Sequence, residues 1–124
     1  MSERKATKAR FAESFKYAFE GIAATAKGRN FKVQSCAGIL AVLFGLLFDI
    51  SACEWLAVLI CCGLVLGGEC MNTSLEALVD LTCPETHPLA KLAKDAAAGA
   101  VLCFAISSFV VGLIIFVPKF IILI

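Results

Sequence analysis

Residues 55–81 read WLAVLICCGLVLGGECMNTSLEALVDL, and this stretch decides the class of fold. Its first fourteen residues are uncharged and mostly apolar, and no proline interrupts the stretch. A predominantly apolar helix of about 20 residues is long enough to cross a bilayer hydrocarbon core of roughly 30 Å. The sequence therefore predicts a membrane-spanning helix here, whose second half carries polar side chains.

Two further apolar stretches lie on either side of this one. Residues 33–50 carry no charge before Asp49, and residues 96–117 carry none at all. Each is about the length that crosses a bilayer. We expect a short polar turn at 49–54, a loop over 82–91, and an end to the third span at Pro118. The predicted fold is all-α and integral to the membrane, with transmembrane helices at about 33–50, 55–81 and 96–117.

The composition agrees with a membrane protein of one domain. Hydrophobic residues make up 60% of the 124 residues and the mean hydropathy is +0.92, whereas soluble domains are roughly 45–50% apolar. A chain this short cannot bury so much apolar surface within itself, so lipid or further copies of the chain must cover it. The net charge of +1 indicates no nucleic-acid partner. The seven cysteines lie mostly in apolar runs without paired spacing and are interpreted as small apolar side chains.

The N-terminal region has the pattern of an amphipathic helix at about residues 7–28. Its large apolar side chains recur at steps of three or four and share one helical face; they are Phe11, Phe15, Phe19, Ile22 and Ala26. Charged residues lie mostly off this face. Such a helix lies in the membrane interface.

The distribution of basic residues predicts the orientation. Eight of the eleven Lys and Arg residues precede the first predicted span, and Lys91 and Lys94 lie in or next to the second loop. The 49–54 turn has none. By the positive-inside rule, the N-terminus and the 82–95 loop are cytoplasmic.

Polar side chains in the second half of 55–81 form a stripe. At 100° per residue, Glu69, Glu76 and Asp80 fall within about 40° of one another, with Asn72 beside them. A charge at membrane depth costs about 2.5–3.5 kcal/mol even on lenient scales. Two interpretations remain open: a solvated helix end, with Asn72 bonded to a neighbouring helix, or a site of metal-binding and proton-accepting carboxylates.

Lys94 and Asp95 open the third predicted span. A lysine beside the free N–H groups of a helix start suits a phosphate, although snorkelling to lipid headgroups is an equal alternative. The chain has no Walker A loop and no protein-kinase motif set. A small non-enzymatic membrane protein, using the stripe for helix association, is a further alternative.

The same residues carry a resemblance to a known family. The pattern E-x-x-N-T-x-x-E-x-x-V-D over 69–80, followed by Lys94-Asp95, resembles the signature of the prokaryotic diacylglycerol kinases. The likeness extends from Ser14 to the end of the third span. The H-P-L-A-K loop at 87–91 and E-W-L at 54–56 are similar to the Gram-positive branch, whose members phosphorylate undecaprenol.

The resemblance implies a homotrimer in the bacterial inner membrane, with composite active sites at the cytoplasmic face. It implies transfer of the γ-phosphoryl group of MgATP to a lipid hydroxyl. The product would be undecaprenyl phosphate, or phosphatidic acid if the substrate is diacylglycerol.

Residue roles follow from the same resemblance. Glu69 would be the general base, Glu76 a Mg²⁺ ligand, and Asn72 and Asp80 a supporting polar cluster. The residues implied to contact ATP are Arg10, Tyr17, Glu76, Glu85, Thr86, His87, Lys94 and Asp95.

One departure concerns the metal. The family usually has a glutamate, a second metal ligand, shortly before Arg-Asn-Phe, whereas this chain reads Lys27-Gly28-Arg29 there. Either Mg²⁺ relies more on Glu76, the ATP phosphates and waters, which Mg²⁺ tolerates, or the activity is weakened or altered.

Overall fold

A computed structural model describes residues 3–124, which form four α-helices and no strand. The helices are α1 (Glu3–Thr25), α2 (Arg29–Leu47), α3 (Ala52–Thr82) and α4 (Pro88–Leu123). The last three are long and apolar enough to cross a membrane. Helix α3 packs mainly against α4 and then α2, and it also contacts α1. The predicted all-α fold with three spans after an N-terminal helix is confirmed.

The connection between α3 and α4 is shorter than predicted, because α4 begins at Pro88 rather than near Ala96. His87 is the N-cap, and its Nδ1 accepts a hydrogen bond from the backbone N–H of Leu89 at 3.1 Å. Proline is favoured in the first helical turn, where its missing N–H costs nothing. The connecting loop is therefore 83–87, and the other half of the predicted 82–91 loop is helical.

The prediction that Pro118 ends the last helix is wrong, since α4 runs through it to Leu123. A proline inside a helix typically costs about 3 kcal/mol. Here contacts beyond the proline hold the helix to its neighbours: Lys119 Nζ lies 3.0 Å from a Glu54 carboxylate oxygen of α3. The ring of Phe120 lies edge-on to Phe44 of α2 and to Phe48, the C-cap of α2, with centroids 5.3 and 4.9 Å away.

The turn between α2 and α3 is built from two local motifs. Asp49 adopts a left-handed backbone (φ 49°), and the next N–H, of Ile50, donates to the carbonyl of Gly45 at 3.2 Å, which ends α2 in the usual way. Ser51 and Glu54 then form a capping box, in which each side chain accepts from the other residue's backbone N–H at 3.2 Å. Glu54, predicted in the turn, thus belongs to the first turn of α3.

The apolar surface of a single chain remains largely uncovered. A small buried cluster of Ile50, Val58, Ile115 and Phe116 lies at the α2–α3 turn end of the bundle. Most other large apolar side chains are exposed. The predicted apolar face of α1 is among them from Phe11 to Ile22, and the rings of Phe11 and Phe15 pack edge-on at 5.1 Å. Helix α1 ends at Thr25 rather than near residue 28, so Ala26, predicted on this face, lies in the turn that follows. Small chains leave such surface to be covered from outside.

Candidate active site

A polar cavity of about 440 Å³ lies where the α1–α2 junction meets the middle of α3. Its lining residues are Ala24, Thr25, Gly28, Arg29, Asn30, Glu69, Asn72, Thr73 and Glu76. The chain turns sharply between α1 and α2, where the N–H of Gly28 donates to the carbonyl of Thr25 at 3.0 Å. This turn brings the start of α2 and Arg29 to the cavity. A helix start with an adjacent guanidinium favours anionic ligands such as phosphates.

The most buried carboxylate of the predicted stripe lies in this cavity. Glu69 is only 7% exposed, which is unusual for a carboxylate. Gln34 on α2 faces it, with Gln34 Nε2 3.5 Å from Glu69 Oε2, at the long end of hydrogen-bond range. Catalytic hydrogen bonds are often long before substrate binds. Glu69 therefore has one oxygen near a donor and a second that can serve as an acceptor.

Asn72 and Glu76 line the same cavity one and two turns further along α3. The Asn72 side chain donates to Glu76 Oε1 at 3.2 Å. Asn72 is 7% exposed, and its Oδ1 is buried without a hydrogen-bond partner among residues 3–124. A buried acceptor without a donor is costly, so this oxygen suits a ligand that supplies positive charge or an N–H or O–H group. Three predicted site residues thus lie together.

Asp80, the last acid of the stripe, pairs instead with Lys94 of α4. Asp95 pairs with Lys91 one turn away on the same helix. These side chains do not line the cavity formed by the described residues. Both ion pairs are largely exposed, and exposed pairs contribute little to stability. Lys94 can therefore exchange Asp80 for a stronger anion at small cost.

The other predicted nucleotide contacts are dispersed over one chain. Arg10 and Tyr17 are exposed on α1, and the Glu85–His87 segment is exposed in the α3–α4 loop. None of them lines the cavity within the described part of the chain, and the His87 ring caps α4.

Sequence reasoning missed Gln34 and the Thr25 wall of the cavity. Gln34 did carry a signal, because an amide inside an apolar run is expensive in hydrocarbon and generally has a polar partner. Thr25 carried no such signal in the sequence. In the structure its hydroxyl donates to the carbonyl of Gly21 within α1 at 2.9 Å. Its place in the cavity depends on the α1–α2 turn.

The donor set fits Mg²⁺ although no group of three or more His, Cys, Asp or Glu residues is clustered anywhere in residues 3–124. Mg²⁺ usually takes one or two carboxylates and completes its shell with waters and substrate phosphates. Glu76 and the unpartnered Asn72 Oδ1 offer hard oxygens in the same cavity. Gly28 lines that cavity too, so a carboxylate at this position would add an oxygen to the cavity wall.

Comparison with known proteins places this geometry in a family context. The family model of prokaryotic diacylglycerol kinase matches residues 16–116. The chain is 44% identical over 111 residues to the undecaprenol kinase of Bacillus subtilis (strain 168), which covers 89% of this chain and 90% of that protein. It is 39% identical over 107 residues to a diacylglycerol kinase of Synechocystis, covering 85% of this chain and 61% of that one. A diacylglycerol kinase of Helicobacter pylori is 47% identical over 49 residues, 40% of this chain and 38% of its own. All the cavity residues fall within the family match.

Proposed function

The chain belongs to the prokaryotic diacylglycerol kinase family, and we propose that this lipid kinase transfers the γ-phosphoryl group of ATP to the hydroxyl of undecaprenol, giving undecaprenyl phosphate. The observation that supports this proposal most strongly is the buried carboxylate of Glu69. It lies in a polar cavity whose other wall is formed by the start of α2 with Arg29. The long match to the Bacillus undecaprenol kinase supports this substrate. Diacylglycerol, giving phosphatidic acid, is the second candidate, supported by the similarity to the Synechocystis diacylglycerol kinase.

Glu69 is the general base of the proposed reaction. The lipid hydroxyl oxygen attacks the γ-phosphorus while its proton passes to the Glu69 carboxylate. The bond between the γ-phosphorus and the bridging oxygen breaks, and its electron pair leaves with ADP. A base must lie within hydrogen-bond reach of the proton it takes. Glu69 suits this role because it directly follows the apolar part of α3, at a depth that a hydroxyl on a lipid chain can reach from the bilayer.

Charge neutralisation and positioning contribute most of the catalysis in phosphoryl transfer. Arg29 and the first N–H groups of α2 lie at the cavity and suit the ATP phosphates. Lys94 joins them once it exchanges Asp80 for phosphate, and Asp95 beside it helps to shape that site. Glu76, with Asn72 Oδ1 beside it, would hold Mg²⁺, which supplies positive charge to the phosphates when bound.

In this proposal the chains form a homotrimer with composite active sites. Predicted nucleotide contacts that lie apart in one chain come together there with residues of a neighbouring chain. Arg10 and Tyr17 of α1, and Glu85, Thr86 and His87 of the loop, lie outside the cavity of their own chain and would contact ATP at a subunit boundary. The exposed apolar surface of α2 to α4 supports association of several chains within lipid. The assembly would lie in the bacterial inner membrane, with its active sites on the cytoplasmic side where ATP is available.

The direct test is a lipid kinase assay with purified protein in mixed micelles. Radiolabelled ATP is supplied with either undecaprenol or diacylglycerol, and labelled lipid is separated by thin-layer chromatography. We expect labelled undecaprenyl phosphate to form faster than labelled phosphatidic acid. Faster labelling of diacylglycerol would select the second candidate, and absence of labelled lipid from a folded preparation would refute the proposal.

A further inference from the structure

The active-site cavity contains one cationic side chain that no carboxylate neutralises. The cavity is lined by the carboxylates of Glu69 and Glu76 and by the guanidinium of Arg29. The ion pairs formed within residues 3–124 involve other side chains, so Arg29 faces the two carboxylates without pairing with either. A guanidinium presents its N–H groups in a planar fork that matches a phosphate group. Arg29 is therefore free to bind an anionic group that enters the cavity.

The cavity has few oxygen atoms that can hold a metal ion. Glu76 Oε1 accepts a hydrogen bond from the Asn72 amide at 3.2 Å, which leaves Glu76 Oε2 and the buried, unpartnered Asn72 Oδ1. Glu69 has to keep an oxygen for the hydroxyl proton if it is the base. No third His, Cys, Asp or Glu joins this pair within the described residues. Since Mg²⁺ usually takes one or two carboxylates and completes its shell with waters and phosphates, these donors are enough for one divalent cation.

The turn between α1 and α2 disfavours a further carboxylate at the cavity wall. A Cβ at Gly28 would lie 3.3 Å from the carbonyl oxygen of Thr25, a tight contact. The same oxygen accepts the Gly28 N–H at 3.0 Å, so it cannot move away without loosening the turn. Gly28 is also the N-cap of α2 and provides no side-chain cap, which leaves the first N–H groups of the helix to other acceptors. The next residue, Arg29, brings positive rather than negative charge to this wall.

We propose that the site uses a single divalent cation, and that the Arg29 guanidinium supplies the positive charge that a second cation would otherwise bring to the transferring phosphoryl group. This inference rests on the proposed function. Phosphoryl transfer requires neutralisation of the charge on the phosphoryl oxygens and on the leaving oxygen. Arg29 donates its N–H groups to these oxygens while the lipid oxygen attacks. It gains and loses no proton, because a guanidinium stays protonated in proteins.

The first experiment counts the metal ions. Mn²⁺ is a suitable probe because it prefers the same hard oxygen ligands as Mg²⁺. Equilibrium dialysis of the purified protein in micelles, with a non-hydrolysable ATP analogue, gives bound Mn²⁺ and bound nucleotide in one sample. We expect one Mn²⁺ for each bound nucleotide in the wild type. Two Mn²⁺ ions for each bound nucleotide would overturn the inference.

The second experiment removes the guanidinium by Arg29→Ala. An arginine that contacts a transferring phosphoryl group is worth about 10³–10⁵-fold in GTPases, and we expect a fall in kcat of about 10²-fold or more here. Raised Mg²⁺ should not restore the rate. Lys27→Ala is the matched control, because Lys27 is an exposed basic residue of the same turn that does not line the cavity; its rate should equal that of the wild type.

Chemical rescue separates a contact with phosphate from a structural role. Guanidinium ion at millimolar concentration should restore part of the Arg29→Ala rate in a saturable way and leave the Lys27→Ala rate unchanged. Arg29→Lys should be faster than Arg29→Ala, since it keeps the charge but loses the fork. Should Arg29→Ala unfold in detergent, Arg29→Gln takes its place in the kinetic comparison.

The outcomes distinguish this inference from the proposed function. A kcat of Arg29→Ala within about threefold of the wild type would overturn the role of Arg29, since an arginine on the phosphoryl group is worth far more. A slow Arg29→Ala protein that guanidinium cannot rescue would also overturn it. A wild type that binds nucleotide but phosphorylates no lipid refutes the proposed function itself.

Discussion

Replacement of Glu69 by glutamine separates proton acceptance from every other property of this side chain. Glutamine keeps the length and shape, and its carbonyl oxygen can still accept the hydrogen bond from Gln34. It cannot accept a proton from the lipid hydroxyl. Loss of a general base typically lowers a rate by 10²- to 10⁴-fold, which corresponds to about 3–5 kcal/mol of transition-state free energy at 1.36 kcal/mol per tenfold. We expect a fall of this size in kcat for the lipid alcohol.

The stability of the Glu69→Gln protein should move in the opposite direction. Glu69 is 7% exposed within one chain, and a charge at membrane depth costs about 2.5–3.5 kcal/mol even on the insertion scale. A neutral amide avoids this cost, so the variant should unfold at the same temperature or slightly higher. The KM for ATP should change little, because in the proposal Arg29 and Lys94 contact the phosphates and Glu76 would hold Mg²⁺.

The assay measures initial rates of lipid phosphorylation over a range of lipid and ATP concentrations, with thermal unfolding of the same preparation. Glu13→Gln is the control, since Glu13 is an exposed carboxylate of α1 and its neutralisation should leave the rate unchanged. Retention of more than about a third of wild-type turnover in Glu69→Gln would refute the assignment. The base would then have to be Asp80 or Asp95, both of which are held in ion pairs with lysines.

The remaining predictions concern the metal, the packing of α3 and the topology. Glu76→Gln should abolish activity at ordinary Mg²⁺ concentrations, and an unchanged Mg²⁺ titration would contradict its role as ligand. A Cβ at Gly68 would lie 2.8 Å from an aromatic carbon of α4, and overpacking of this kind costs about 1–3 kcal/mol, so Gly68→Ala should lower the unfolding temperature. Gly67→Ala is its control, because a Cβ there meets no described atom within 4 Å; equal stability of the two variants would argue against the α3–α4 contact. Cysteine labelling in a background without native cysteines should find position 87 cytoplasmic and position 51 external, and the reverse pattern would refute the orientation.

The sequence by itself determined the membrane helices and the polar stripe of α3. Both are local properties: a run of apolar residues must match the thickness of the hydrocarbon core, and residues seven apart on a helix share a face whatever surrounds it. The stripe from Glu69 to Glu76 therefore followed from spacing alone. The same pattern could not distinguish a solvated helix end from an active site, because the difference depends on which residues face the stripe.

Only the tertiary structure decided which residues face the stripe and where the helices end. The α1–α2 turn brings Thr25 and Arg29 to Glu69, and α2 brings Gln34 to it; these pairs are separated by tens of residues, and no local periodicity encodes their approach. Pro118 is a reliable local signal for a helix end, yet α4 passes through it because Lys119 and the following phenylalanine are held by α3 and α2. Contacts between helices outweighed a local preference there, as tertiary packing commonly does for intrinsic propensity.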